Sequence, residues 1–295
     1  MYWQDRYQPR HEPERTLRLM TASDIPAAAD LSERIGWDTA IPEWERLLFW
    51  SPEGCFVVEE AERGLIGTVT TTPYGTALGW IGKLIVAPDR QRQGLGHQLM
   101  RAALDYLIAH DVERIMLDAT DAGRQLYEQL GFRPLETIHR WEGRASTYLG
   151  PRARRLAPAD VPAVLDLDRQ LFGLDRRHIL ERLLGEFPDL AWVDATRDGP
   201  QGYLLGRRTG RGIYLGPWMS RSPDAAERLL LVALEQLQGQ PLTLNIPNQN
   251  GRALILAGDH NLRRVRRCTR MIYGSAAPPA GELLAEYAIA SLATG

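Results

Sequence analysis

The stretch that most constrains this chain is LIVAPDRQRQGLGHQ, from Leu84 to Gln98. Trp80 to Val86 reads as a strand, Pro88 and Asp89 end it, and Gln91-Arg92-Gln93-Gly94-Leu95-Gly96 opens a helix that runs to His110. A glycine turn between a strand and a helix leaves backbone N–H groups and the positive end of the helix dipole free to hold a phosphate or pyrophosphate. Gly94 and Gly96 let ligand oxygens approach the backbone without a Cβ in the way, and Arg90 and Arg92 add positive charge beside them. Two common phosphate patterns fail here. No Lys-Ser or Lys-Thr follows the glycines, and the third glycine of the dinucleotide fingerprint is missing. A plain strand-to-helix loop is the alternative reading of the same residues.

At 295 residues and 44% hydrophobic content, the chain can bury two cores, each of domain size. A net charge of -2 gives no pull toward nucleic acid or an anionic membrane, and no nucleic-acid motif is present. Two cysteines, Cys55 and Cys268, argue against a disulfide scaffold or a cysteine-rich metal site, and a reducing cytoplasm is the expected setting. The opening MYWQDRYQPRHEPERT is polar and mixed in charge, unlike a signal peptide, and no apolar run reaches spanning length.

An N-terminal arm is expected over 1–16. Leu17 to Met20 then reads as an edge strand, and Thr21 or Ser23 caps a helix with Asp24 and Pro26 in its first turn. A second helix carries Trp44, Leu47 and Trp50; strands follow at Cys55 to Val58, Leu65 to Thr72, Trp80 to Val86 and Ile115 to Ala119. Gly123 to Leu130 reads as a helix and Thr137 to Thr147 as a returning strand or hairpin. The order gives an α/β (α+β) domain over 17–150: a mixed, mostly antiparallel sheet flanked by helices, with two parallel strands joined through the helix after the glycines.

After a Pro-Arg-Ala-Arg-Arg linker at 151–155, the chain repeats itself. MTASDIPAAADL at 20–31 aligns without a gap to LAPADVPAVLDL at 156–167, matching Asp24 with Asp160, Pro26 with Pro162 and Asp30 with Asp166. Further on, Ala233-Leu-Glu-Gln-Leu echoes Ala103-Leu-Asp-Tyr-Leu, and Gly251-Arg-Ala-Leu echoes Gly123-Arg-Gln-Leu. A second domain of the same plan is expected over 156–274. The remaining apolar tail at 275–295 reads as a short helix packed on it.

The glycine stretch, with Val86 and Pro88 before Gln91, Gly94 and Gly96, resembles the acyl-CoA site of the Gcn5-related N-acetyltransferase (GNAT) superfamily. A second segment supports the resemblance: Asp118 to Phe132, with Tyr127 and a closing Leu130-Gly131-Phe132, is similar to that family's fifth strand and following helix. The resemblance implies tandem GNAT-like domains and acetyl-CoA as cosubstrate, with no metal. In it, Leu84, Ile85 and Val86 hold the pantetheine arm, while Gln91, Arg92, Gln93, Gly94, Leu95, Gly96 and His97 hold the pyrophosphate. Tyr127 matches the tyrosine that protonates the departing thiolate. Asp118 is a candidate base or ammonium anchor, with Glu59, Glu60, Asp121, His97 or a water relay left open.

The same resemblance places the first two helices beside the acceptor, so Trp37 and Trp44 are candidate pocket residues, joined from the second domain by Tyr203, Arg207, Trp218 and Asn250. In that domain Gln91 to Gly96 becomes Arg221-Ser-Pro-Asp224-Ala-Ala226 and Ile255 replaces Tyr127, which implies a degenerate copy without a coenzyme site. The function implied is acetyl transfer to a primary amine of a small molecule. The alternatives are a protein or peptide acceptor and a non-catalytic, acetyl-CoA-responsive module.

Overall fold

The repeated Asp-Ile-Pro and Asp-Val-Pro motifs do the same physical work in both halves. Asp24 accepts from the Thr21 N–H at 2.8 Å and Asp160 from the Ala157 N–H at 2.8 Å, each closing a 3-10 turn that feeds a helix. An arginine on the preceding strand then clamps each carboxylate, Arg18 on Asp24 and Arg154 on Asp160. The computed structural model describes residues 14–38, 40–274, 277, 281, 282 and 284–295. The arm expected at 1–16 therefore lies outside the described residues except for its last three, two of which already belong to the first strand.

The first half runs β1 (Arg15–Leu19), α1 (Ile25–Arg34), α2 (Ile41–Trp50), β2 (Phe56–Glu60), β3 (Gly64–Tyr74), β4 (Leu78–Val86), α3 (Leu95–Ala109), β5 (Ile115–Ala119), α4 (Asp121–Gln129) and β6 (Phe132–Arg144). The second repeats the order with β7 (Arg154–Arg155), α5 (Val161–Phe172), α6 (Arg177–Glu186), β8 (Ala191–Thr196), β9 (Gly199–Thr209), β10 (Gly212–Ser220), α7 (Pro223–Gln236), β11 (Pro241–Pro247), α8 (Gly251–Asp259) and β12 (Arg263–Tyr273); β13 (Glu286–Ala288) follows. Each half has mostly antiparallel strands and one parallel pair, β4 with β5 and β10 with β11, joined through α3 and α7.

The halves form one continuous sheet in the order β1-β2-β3-β4-β5-β12-β6-β11-β10-β9-β8-β7. Their last strands are exchanged: β12 from the second half lies against β5, with Met271 opposite Leu117, and β6 from the first lies against β11, with Trp141 opposite Leu244. The two exchanged strands also pair with each other along nearly their whole length, Arg263 opposite Glu142 and Tyr273 opposite Phe132. A core containing Leu31, Trp44 and Leu99 packs α1 to α3 on the first half, and another containing Trp192, Leu230 and Leu244 packs α7 on the second. A third joins them, with Trp80 and Met116 beside Leu165, Leu180 and Ile272.

The tail is not the expected helix. Its described residues form β13 and a turn whose backbone is satisfied by neighbours on both sides: Ser220 N–H donates to Ala285 O, Ile289 N–H to Asn245 O, Arg207 Nη1 to Ala290 O and Trp80 Nε1 to Leu292 O. The apolar residues that suggested a helix face are instead enclosed all round, with Tyr287, Ala288, Ile289, Ala290 and Ala293 all buried. Their composition reports a filled groove rather than an amphipathic period.

Candidate active site

β4 and β5 pair only at Gly79 with Ile115 and Trp80 with Met116, although β4 continues to Val86 and β5 to Ala119. The strands part after Trp80 because the β3–β4 ladder slips there: Gly82 faces Thr70, Ile85 faces Thr68, and Lys83 in between takes a φ of 48°. Thr68 Oγ1 donates to the Lys83 carbonyl at 2.8 Å and pins this bulge. Backbone from Ile81 to Val86 is thus left without a strand partner on the β5 side, the place where a linear amide-containing ligand can pair as an extra strand.

Past Val86 the chain makes a short 3-10 turn, and α3 begins at Leu95 with Gly94 as N-cap at φ 82° and no side-chain cap. A Cβ at Gly94 would meet nothing within 4 Å, so space stands open beside the start of α3, whose first turn has no side-chain cap. Gly96 serves packing as well, since a Cβ there would come within 3.2 Å of Leu126. Gln91, Arg92, Gln93 and His97 are exposed around this turn, and the Leu95 side chain is buried in the core, leaving its backbone as the only part it can offer. Arg90 does not add free charge to the cradle: it is bound to Glu60, which also holds Arg15. Gln91 Nε2 donates to the Val86 carbonyl at 3.3 Å and ties the cradle to the strand end.

The splay opens into a cavity of about 360 Å³ between the two halves. Tyr127 lines it from α4, its ring fitted against Gly123, where a Cβ would come within 2.9 Å. Burial pushes the Tyr127 phenol well above its ordinary value and the nearby Cys268 adds to the shift, so it holds its proton throughout the neutral range. Trp37 lines the cavity near Lys83, whose Nζ pairs with Glu43 at 2.7 Å. Arg207 lines the opposite wall, 7% exposed and stacked 3.8 Å from the Tyr214 ring centre. Asp38 accepts from the Gly210 and Arg211 N–H groups at 3.1 Å and stitches the α1–α2 connection to the β9–β10 turn.

Asp118 lines the same cavity, but it is corrected from base to structural anchor: both its oxygens accept from Arg270, at 3.0 and 3.3 Å, and its side chain is fully buried. Other sequence candidates stand elsewhere. Trp44 is a core residue of the first half and Trp218 of the second, neither exposed. Tyr203 is buried beneath the sheet, donating to Asp168, which Arg176 also binds. Asn250 caps α8 through the Ala253 N–H and donates to the Leu284 and Glu286 carbonyls, so it fastens the tail rather than a substrate. The sequence reading also missed cavity residues. Lys83, Arg140, Tyr214, Asn245 and Arg266 reach it, as do Ser291, Leu292 and Ala293 from the tail. Asn245, an amide in the otherwise mostly apolar run Leu242-Thr-Leu-Asn-Ile-Pro, carried a sequence signal.

The second copy keeps the splay and changes its use. β10 and β11 pair only at Ile213 with Leu242 and Tyr214 with Thr243, and the β9–β10 ladder slips between Leu215 and Trp218 as β3–β4 does between Gly82 and Ile85. Trp218 and Met219 therefore correspond to Leu84 and Ile85. Against them lies β13, with Ala288 opposite Trp218 and Glu286 opposite Met219. At the following helix, Ser222 Oγ accepts from the Ala225 N–H and Asp224 stands in the first turn, where Gly94 leaves the first copy open.

A GNAT family acetyltransferase model matches residues 27–132 and a second acetyltransferase (GNAT) domain model matches 164–284. The chain belongs to the GNAT superfamily. It carries two GNAT-like domains in tandem, each matched by its own acetyltransferase model. Among curated proteins it is similar to the uncharacterized N-acetyltransferase YitH of Bacillus subtilis, 26% identical over 58% of this chain and 61% of that protein. It is also similar to mycothiol acetyltransferase of Acidimicrobium ferrooxidans, 34% identical over 30% of each. The chain thus spans less than two thirds of the length of both. A Pyrococcus horikoshii protein solved as a candidate acetyltransferase shares the fold along 98% of this chain and 99% of its own, with a TM-score of 0.80 and 24% identity. Among the described residues no group of His, Cys, Asp and Glu is arranged to hold a metal ion, and no helix is long and apolar enough to cross a membrane.

Proposed function

We propose that this GNAT protein transfers an acetyl group from acetyl-CoA to a primary amine of a small molecule, using the first domain's site. The observation that carries the reading is the unpaired β4 backbone from Ile81 to Val86, which leads from the open cradle at Gly94 directly into the cavity lined by Tyr127. These residues fit acetyl-CoA: the β4 edge offers amide partners for pantetheine, and the uncapped turn at Gln91 to Gly96 offers N–H donors for pyrophosphate. When bound, acetyl-CoA supplies the acyl carbon to which the acceptor nitrogen bonds as the carbon–sulfur bond breaks. The β4 N–H groups orient the acyl carbonyl and favour the charge that develops on its oxygen. Tyr127 keeps its proton until a thiolate departs, then donates it from its hydroxyl and recovers one from solvent. Of the carboxylates lining the cavity, Glu43 is held by Lys83, Asp38 by backbone donors, Asp118 by Arg270 and Glu142 by Arg140, which supports loss of the acceptor's own proton to water.

A cavity of about 360 Å³ lined by residues of the exchanged strands and of the tail supports a small acceptor over a peptide. The filled groove at β10 and the capped start of α7 support a degenerate second domain. The test is thiol release from acetyl-CoA with a panel of amines and short peptides, each signal confirmed by an acetyl mass increase on the acceptor. Coenzyme binding without any acceptor-dependent release would overturn the enzymatic reading in favour of an acetyl-CoA-responsive module.

A further inference from the structure

The wall of the cavity formed by the exchanged strands and the β9–β10 turn is basic. Arg140 on β6 and Arg266 on β12 line it together with Arg211, while Glu142 stands 2.9 Å from Arg140. Neither Arg211 nor Arg266 forms an ion pair among the described residues; Arg211 reaches the Gly36 carbonyl at 3.2 Å, and Arg266 makes no hydrogen bond there. Desolvation first, then Arg140 and more weakly Arg211, pull the Arg266 guanidinium below its ordinary value against the opposite pull of Cys268 and Glu142.

Deeper in the same cavity, a carbonyl oxygen lacks a donor. Tyr214 gives its one hydroxyl proton to Ile289 O at 2.9 Å, so what it receives from Asn245 at 3.2 Å comes from the amide nitrogen. That fixes the flip of Asn245 and leaves Oδ1 buried without a hydrogen-bond partner on a side chain only 3% exposed. This oxygen has almost no accessible surface, so a ligand donor satisfies it when the Asn245 side chain turns toward the cavity it lines.

Building on the acetyl-transfer reading, we infer that the acceptor carries an anionic group, a carboxylate or a phosphate, held by Arg266 and Arg211, and a hydrogen-bond donor that meets Asn245 Oδ1. A guanidinium binds either anion through paired N–H donors, so the chemistry is shared and the probes separate the sources. Matched amines distinguish the reading: glutamate and β-alanine against glutamine amide and β-alaninamide, and phosphoethanolamine against ethanolamine.

The full chain is assayed with each probe for acetyl product, and separately for binding by calorimetry without acetyl-CoA. The expected result is a kcat/KM at least about tenfold higher for the carboxylate or phosphate member of a pair. Arg266→Gln should raise KM about tenfold or more for that member and leave the neutral one unchanged, with Arg266→Lys recovering part of the loss. Asn245→Leu should weaken binding of the anionic probes in calorimetry. Equal use of neutral and anionic amines, or equal losses on both with Arg266→Gln, would overturn this inference and leave acetyl transfer standing. Charge-selective, Arg266-dependent binding with no acetylation of any probe would keep the inference and remove the transfer reading instead. Product from carboxylates alone or phosphates alone would identify the anion.

Discussion

Glu136→Gln is expected to abolish a loss of stability that the wild-type protein suffers as pH rises toward 7. Asp118 on β5, Glu136 on β6 and Glu286 on β13 surround the single guanidinium of Arg270 on β12, with side-chain exposures of 0%, 11% and 13%. Asp118 takes Arg270 in two hydrogen bonds, whereas Glu136 and Glu286 stand at 3.5 Å and each keeps a buried oxygen without a partner. One cation cannot neutralise three carboxylates, and Glu136 responds: burial first, opposed by Arg270 and reinforced by Glu286 and Asp118, raises its carboxyl to about 7. Because the folded value lies above the unfolded value of 4.5, the native state binds the extra proton. The associated stability is fully present below 4.5 and is lost progressively until pH passes 7. Between pH 5.5 and 8.5 that loss amounts to about 2 kcal/mol, from a shift of roughly two and a half pK units at 1.36 kcal/mol each. Glutamine keeps the shape and removes the titration. Urea midpoints of wild type and variant at the two pH values give the double difference directly, with the variant gaining on wild type as pH rises. A difference independent of pH would refute the reasoning, since a merely structural change at Glu136 would shift both conditions alike.

Tyr127→Phe should lower kcat by about a hundredfold or more while leaving acetyl-CoA affinity within about twofold, read by thiol release and calorimetry on the same preparation. Gly94→Val forces a β-branched residue to the φ of 82° where the cradle turns; acetyl-CoA affinity should fall about tenfold or more with the circular dichroism spectrum preserved. Asp118→Asn removes the two-bond partner of Arg270 but leaves Glu136 and Glu286 beside the guanidinium, so about 2 kcal/mol of stability should be lost in urea unfolding, the worth of hydrogen bonds to a charged group. If Asp118 instead served as the base, that variant would lose kcat with little change in stability.

Much of the first site was legible because its chemistry is local. The strand ending at Val86, the break at Pro88 and the glycines at 94 and 96 follow one another closely along the chain, and short-range sterics decide what they form. The repeat of Asp24 as Asp160 was readable for the same reason, since a capping carboxylate acts three residues away. What the sequence could not fix was partnership at long range. Nothing local in β6 or β12 says which half supplies the neighbouring strand; the exchange is seen in the register and in the Asp118–Arg270 pair. Trp44 and Trp218 pack in the cores rather than on the cavity; aromatic identity signals burial without saying where the cavity lies. Asn250 misled for a different reason, its side chain being spent on a helix cap and two tail carbonyls.

The tail explains why two copies of one fold need not mean two sites. Both splays come from the same ladder slip, and a splayed strand end leaves backbone groups that must be satisfied by something. At β10 the chain supplies that partner itself: β13 pairs with Trp218 and Met219, and Ile289 donates to Asn245 on the other side of the gap. The segment then crosses to the first half, where Ala293 abuts Gly82 so closely that a Cβ on the glycine would come within 2.7 Å of the Ala293 Cα. Tyr74 and Trp80 donate to the carbonyls of Thr294 and Leu292 and hold it there. One stretch of backbone thus closes the groove of the second copy and builds a wall of the cavity in the first. A change that loosens it at β10, such as loss of the Asn250 bonds, acts on the shape of the acceptor cavity without touching a residue of the coenzyme cradle.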